Sequence, residues 1–217
     1  IYKTIDAGKT WTSVGQIKTG SVAKIRIHPS NPDIVYAAFM GALFANDTLR
    51  GVYKSMDGGD NWEQVLFVSD STGAIDMIMD PLHPDTLYVA MWERIRRHNR
   101  ISYGGLTSGI YRSVDAGKSW QELTNGLPKQ RFEKGRIGLA LCATQPNVLY
   151  AFYAKRDGNF RGIFKSNDYG ETWTTTGNPG YRNYNYFWWF GNIFVDPSDP
   201  DNVYSTGLYM KNSTDGG

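Results

Sequence analysis

T-I-D-A-G-K-T-W (Thr4–Trp11), S-M-D-G-G-D-N-W (Ser55–Trp62), S-V-D-A-G-K-S-W (Ser113–Trp120), S-N-D-Y-G-E-T-W (Ser166–Trp173) and S-T-D-G-G (Ser213–Gly217) are copies of one phrase. Their aspartates, Asp6, Asp57, Asp115, Asp168 and Asp215, lie 51, 58, 53 and 47 residues apart, and self-similarity at such a period marks a propeller or a solenoid. The chemistry of the phrase is that of a tight β-hairpin. The hydroxyl and the carboxylate accept hydrogen bonds from backbone N–H groups of the turn, and the glycine takes a positive φ. The tryptophan (Trp11, Trp62, Trp120, Trp173) opens the returning strand and packs on a neighbour. These aspartates and tryptophans are therefore read as architecture, and catalysis is not expected of them.

A second element recurs in step with the first: H-P-S-N-P-D-I-V-Y (His28–Tyr36), D-P-L-H-P-D-T-L-Y (Asp80–Tyr88), A-T-Q-P-N-V-L-Y (Ala143–Tyr150) and D-P-S-D-P-D-N-V-Y (Asp196–Tyr204). Proline with Asn/Asp between apolar runs makes turns, because proline fixes φ and removes a ladder donor. Each repeat then holds four short strands. An apolar one comes first (Val22–Ile27, Ala74–Met79, Arg136–Leu141, Phe190–Val195), then a strand ending near Tyr-Ala. The third leads into the phrase (G-V-Y-K-S, G-I-Y-R-S, G-I-F-K-S), with the alternation of a half-buried strand, and the fourth follows the tryptophan. Four strands per repeat make a propeller blade. The expected fold is an all-β propeller of four-stranded antiparallel blades, forming one domain over 1–217. Blades fall at 1–15 (partial), 21–68, 73–124, 135–177 and 186–217 (partial). The chain starts without Met and stops inside a phrase, so it reads as a piece of a seven- or eight-bladed ring, with a four-bladed closed ring as the alternative.

Bulk properties fit this reading. Of 217 residues, 41% are hydrophobic, enough for a sizeable core, and 24 glycines with 14% aromatic content suit short strands and tight turns. The formal net charge of +2 gives no global argument for nucleic acid or a membrane surface. The single cysteine, Cys142, falls on an innermost strand and reads as a small buried hydrophobe. No apolar run approaches membrane-spanning length, and no signal peptide is visible.

The two phrases together resemble the Asp-box (BNR) repeats of sialidases, family 74 xyloglucanases, the sortilin/Vps10 propellers and a photosystem II assembly factor. The wording G-A-I-D-M-I-M-D-P followed by L-Y-V-A-M-W-E is most similar to large exported bacterial proteins described as sortilin-like or glycosyl hydrolase BNR-repeat. The resemblance covers nearly the whole chain. It implies the fold and a secreted, periplasmic or cell-surface setting, but it leaves function open, since these families share the repeat and differ in activity.

The repeats also locate a functional face. Segments entering each innermost strand share one end of the blade with the loops between second and third strands, opposite the phrase turns, and such converging loops are where ligands bind. The loops are 41–50, 92–108 (W-E-R-I-R-R-H-N-R-I-S-Y) and 155–161 (K-R-D-G-N-F-R). The entries are 69–72, 129–134 (K-Q-R-F-E-K) and 181–189 (Y-R-N-Y-N-Y-F-W-W). They gather Trp92, Arg94, Arg96, Arg97, Arg100, Tyr103, Arg131, Arg156, Arg161, Arg182, Trp188 and Trp189, to which Arg136 at an innermost strand start is added as ligand-binding. Planar guanidinium forks beside flat rings suit a glycan, or a protein with acidic groups. The bland alternatives are arginines paired with Glu93 and Asp157, and rings packed between blades.

For chemistry, aligned innermost strands place Lys24, Asp76, Gly138 and Asn192 in one column near the channel mouth. Asp76 is the carboxylate of that column, with Glu93, Glu133 or Asp157 as a second acid; Asp76 and Glu93 are the catalytic candidates. Asp76 could equally pair with Lys24 or with backbone N–H groups. A sialidase reading lacks the arginine triad and the F-R-I-P-like start. His28 and His83 read as turn residues, no Cys/His metal spacing or phosphate loop occurs, and neither metal nor cofactor is expected. Two function classes follow. The first is a recognition propeller binding a glycan or protein partner through a basic, aromatic face; the alternative is a glycoside hydrolase using a carboxylate pair that includes Asp76. Nucleic acid is not expected, given the net charge, nor is membrane insertion; further blades of the same protein are the remaining expected partner.

Overall fold

The computed structural model describes residues 1–15, 20–98, 102–177, 180–181 and 186–217. All named strands pair antiparallel with their sequence neighbours within a sheet. A two-stranded ribbon, β1 (Tyr2–Lys3) with β2 (Thr12–Ser13), is followed by three four-stranded sheets. The first joins β3 (Val22–His28), β4 (Asn31–Phe39), β5 (Gly51–Ser55) and β6 (Glu63–Leu66). The second joins β7 (Thr72–Met79), β8 (Leu87–Glu93), β9 (Gly109–Ser113) and β10 (Gln121–Leu123). The third joins β11 (Ile137–Cys142), β12 (Gln145–Ala154), β13 (Phe160–Ser166) and β14 (Thr174–Thr175). After a helical turn, α1 (Phe187–Phe190), a three-stranded sheet closes the series with β15 (Asn192–Val195), β16 (Val203–Thr206) and β17 (Met210–Ser213). The chain is thus an all-β propeller section of three full and two partial blades. The innermost strands β3, β7, β11 and β15 lie side by side.

Because each full blade is covered on both faces, its second strand reads as a continuous apolar run rather than an alternating one. Leu87 through Met91 on β8 have no solvent exposure, and Tyr150 with Ala151 on β12 are buried likewise. The start of the last innermost strand differs from expectation. Phe190 ends α1 and β15 begins at Asn192, because Phe187 is drawn onto the Phe152 ring (5.9 Å between centroids). Gly191 then passes so close that a Cβ there would stand 2.4 Å from both that ring and the Phe187 carbonyl. Among the described residues no helix is long and apolar enough to cross a membrane.

The phrase turns repeat one hydrogen-bond set. The Ser/Thr hydroxyl donates to its aspartate (2.6–2.8 Å) and accepts the N–H of the glycine two residues after that aspartate (2.7–2.9 Å). The aspartate then accepts the N–H of Thr10, Asn61, Ser119 or Thr172, each at 2.9 Å, and that residue's side chain as well. Two successive residues of each turn are left-handed where one glycine was expected. Ala7, Ala116 and Tyr169 hold φ of 58–60° ahead of the glycine, and Gly58 (72°) and Gly216 (81°) take the same left-handed place in the other copies. The indoles of Trp62, Trp120 and Trp173 donate back to the glycine carbonyl at 2.7–3.1 Å, while Trp11 is exposed.

Each turn also fastens two blades. The N–H after the aspartate binds the Pro-turn of its own blade: Gly58 to Asp33, Ala116 to Asp85, Tyr169 to Asn147 and Gly216 to Asp201. The carbonyl of the same residue accepts from the preceding blade: Ala116 from the Tyr36 hydroxyl (3.0 Å) and Lys54 (3.0 Å), and Tyr169 from the Tyr88 hydroxyl (2.9 Å) and Arg112 (3.0 Å). Gly58 accepts from Lys3 and Gly216 from Tyr150 in the same manner.

Hydrogen bonds from Thr10, Asn61 and Ser119 hold Asp6, Asp57 and Asp115, respectively, down to about 2 from an ordinary 3.8. The folded chain binds these protons less readily than the unfolded chain. Their stabilisation is therefore complete above the ordinary carboxylate range and disappears as pH falls through about 2. Acid unfolding followed by tryptophan fluorescence should run across that window, and Asp115→Asn should flatten it.

Candidate functional site

At the end opposite the phrase turns, the inter-strand loops meet the entries to the innermost strands through Met40 N–H to Ser21 O (2.9 Å), Arg94 N–H to Ser71 O (2.8 Å) and Ala154 N–H to Arg136 O (2.9 Å). The residue that shapes the first loop was not among the candidates read from the repeats. Arg50 is fully buried, and its guanidinium donates to the carbonyls of Met40 (2.5 Å), Ala42 and Ala45 (3.1 Å), tying the loop to itself. Burial pushes its pKa down, against the pull of Asp47 and Asp70. Asp47 accepts the N–H groups of Ala42 (2.7 Å) and Leu49 (2.9 Å), and its own N–H reaches Asp70 O in the next blade (2.8 Å). Phe44 is left exposed, and Asn46 turns toward blade two.

Beside this loop lies a polar pocket of about 190 Å³, lined by Glu93, Arg97 and Arg131 with Asn46, Ser71 and Ser102. Glu93 ends β8, and its Oε2 accepts the Thr107 hydroxyl (2.8 Å) and N–H (3.2 Å). The seat depends on Gly105, where a Cβ would stand 2.1 Å from the carboxyl group. Arg96, Arg97 and His98 line a wider hollow with Phe44, and the Arg96 N–H is anchored on Leu43 O (2.8 Å).

The aromatic residues form a second construction. Trp188 stacks on Tyr103 (centroids 4.2 Å apart, planes 13° apart), and the Trp92 indole donates to Tyr103 O (2.8 Å). Arg94, 4% exposed, lies 4.9 to 5.8 Å from the rings of Tyr103, Trp188 and Trp92 and donates to Ser102 O (2.8 Å). Cation–π contact on three faces offsets the loss of hydration that lowers its pKa. Arg136, expected to bind ligand, instead donates to the carbonyls of Trp188 (3.5 Å) and Trp189 at the end of α1. There it fixes the turn that presents Trp189, 55% exposed and edge-on to Trp188. The Nε atoms of Arg94, Arg136 and Arg156 and the Trp188 indole nitrogen are buried without a partner among the described residues. Arg161 is paired with Glu133 (2.8 Å), not with Asp157, whose carboxylate accepts from Asn159. Arg131 is exposed at the pocket rim, and Arg100 and Arg182 fall outside the described residues.

The innermost column aligns as the repeats predict, with Lys24 opposite Ala38, Asp76 opposite Ala90, Gly138 opposite Phe152 and Asn192 opposite Thr206. Asp76 is 5% exposed and heavily engaged. Just after a register shift between Ala74 and Asp76, Oδ1 accepts Met77 N–H (2.9 Å) and faces Lys24 (3.4 Å), while Oδ2 accepts Leu139 N–H of the next blade (3.0 Å). Glu93 pairs with Thr72 and Asp76 with Ala90, so the two residues stand three to four positions apart along the ladder, roughly 10–13 Å of backbone at about 3.3 Å per residue. Asp76→Ala would leave a buried N–H of each of two blades without an acceptor. We expect it to lower unfolding stability by about 2–4 kcal/mol in urea, and Asp76→Asn by less.

No family model matches the chain. It is 28% identical over 172 residues to a xyloglucanase of a Paenibacillus species, a match covering 74% of this chain and 15% of that protein. Among solved structures it is similar to a GH74 enzyme of Niastella koreensis, at 19% identity and TM-score 0.73, covering 99% of this chain and 33% of that one. It is also similar to an ancestral GH74 enzyme, at 17% identity and TM-score 0.68, covering 98% of this chain and 28% of that one. The chain therefore spans about a third of such a structure and less of the xyloglucanase. Its fold is that of β-propeller glycosidases, and its similarities lie with carbohydrate-active proteins.

Proposed function

We propose that this chain is a section of a carbohydrate-active propeller of the glycoside hydrolase class, and that its loop face binds a polysaccharide. The observation that carries this reading is the pairing, on one face, of exposed rings with a hydrogen-bonding pocket. Trp189, Phe44 and Phe132 present flat apolar surface, and Glu93, Arg97 and Arg131 present an acceptor among donors. Sugars expose apolar C–H faces and hydroxyl edges, which those two kinds of surface match. The likeness to a Paenibacillus xyloglucanase points to the same class. A polysaccharide ligand would suit a secreted, periplasmic or cell-surface setting.

A recognition role without chemistry differs from this reading only in turnover. Asp76 stands on the innermost strand, where an acid could act, but its oxygens are occupied by two N–H groups and Lys24, which supports a fastening role. Glu93, with Oε2 bound and its carboxyl group at the pocket wall, is better placed to meet a sugar. Binding to immobilised xyloglucan, β-glucan and acidic polysaccharides should show a preference for one of them. Trp189→Ala should weaken that binding about tenfold, equivalent to ~1.4 kcal/mol, without shifting the thermal midpoint; unchanged retention would discard the face. Turnover of the same polysaccharides that survives Asp76→Asn would remove Asp76 from the chemistry.

A further inference from the structure

Resting on the glycan-binding reading, we propose that the Glu93 pocket is a subsite for a single neutral sugar residue, with Glu93 as acceptor for a pair of adjacent hydroxyls and Arg97 and Arg131 as donors to its oxygens. Three observations build it. The Glu93 carboxylate is fixed rather than free: Thr107 holds Oε2 through both its hydroxyl and its N–H, and Gly105 gives the carboxyl group room that any other residue would take. Its second oxygen, Oε1, has no hydrogen-bond partner among the described residues. Two guanidiniums line the same pocket, yet the ion pairs among the described residues join neither to Glu93. An acceptor and donors of opposite charge that share a cavity without touching leave space for a group that bridges them.

The charge pattern selects the ligand. A carboxylate, sulfate or phosphate would be attracted by Arg97 and Arg131 but would meet the fixed Glu93 charge at the pocket wall, and like charges brought together are disfavoured. A metal ion would find one carboxylate, below the ligand number that calcium or magnesium requires. A neutral ring with adjacent hydroxyls meets neither objection, since each hydroxyl donates to Glu93 while its oxygen accepts from arginine. The volume, about 190 Å³, is below that of pockets for drug-sized ligands and suits one ring rather than a chain. Its walls come from three blades, through Asn46, Ser71 with Glu93, and Arg131. The site therefore exists only when the blades are packed together.

Calorimetric titration of the whole chain with xyloglucan oligosaccharides and with oligogalacturonate tests this. The wild type should bind the neutral series at least tenfold more tightly. Glu93→Gln, which keeps the size and the Thr107 contact, should lose at least tenfold for the neutral series and narrow the gap to the acidic one. The exposed pair Arg97→Ala/Arg131→Ala should lose neutral affinity with an unchanged thermal midpoint. A wild-type preference for oligogalacturonate, or undiminished neutral binding in both variants, would overturn the subsite. If Trp189→Ala still weakened binding in that case, the glycan-binding face would stand without this pocket. A wild type that bound no oligosaccharide of either series would remove both.

Discussion

Everything in this molecule hangs on one backbone carbonyl per blade, that of the residue following each phrase aspartate. It points out of a turn held rigid by a hydroxyl and a carboxylate, and it receives side chains from the blade before: a tyrosine hydroxyl with a lysine or arginine at Ala116 and Tyr169, Lys3 at Gly58 and the Tyr150 hydroxyl at Gly216. The N–H of the same residue is bound by the Pro-turn of its own blade. A peptide unit committed on both sides converts a local turn into a joint between sheets. Exposed aspartates thus matter without approaching a ligand, because they fix the turn that fixes the joint.

With that end of the blades locked, the other end can vary. Its loops are shaped by buried and half-buried arginines rather than by sheet pairing. Arg50 gathers three carbonyls in the first loop, Arg94 is wrapped by three rings in the second, and Arg136 ties α1 to the start of β11. Guanidinium suits this work, since its several donors can satisfy loop carbonyls that lack a ladder partner. Arginines of this face thus divide into those that build it and those, such as Arg97 and Arg131, that remain available on it.

That division marks the limit of what the residues alone could reveal. The phrase and the Pro-turns were enough to place the blades, the column of Lys24, Asp76, Gly138 and Asn192, and the face opposite the turns, because each follows from a period and from strand alternation. Asp76 beside Lys24 and a neighbouring N–H was legible as an alternative to catalysis. Missing were contacts between residues far apart in the chain: Arg136 with Trp189, Tyr103 with Trp188, Tyr36 with Ala116. Arg50 was missed because a lone arginine before a strand has the same sequence appearance whether solvated or buried. The second left-handed residue was hidden because Ala7, Ala116 and Tyr169 are not glycine.

The account places sugar on the loop face and gives the innermost column a fastening role. Crystals of the chain soaked with a xyloglucan oligosaccharide address both points at once. Density along Trp189 and into the pocket beside Glu93 is the predicted result. Density on the inner wall, with a sugar oxygen against Asp76 and the Asp76–Leu139 hydrogen bond broken, would contradict it.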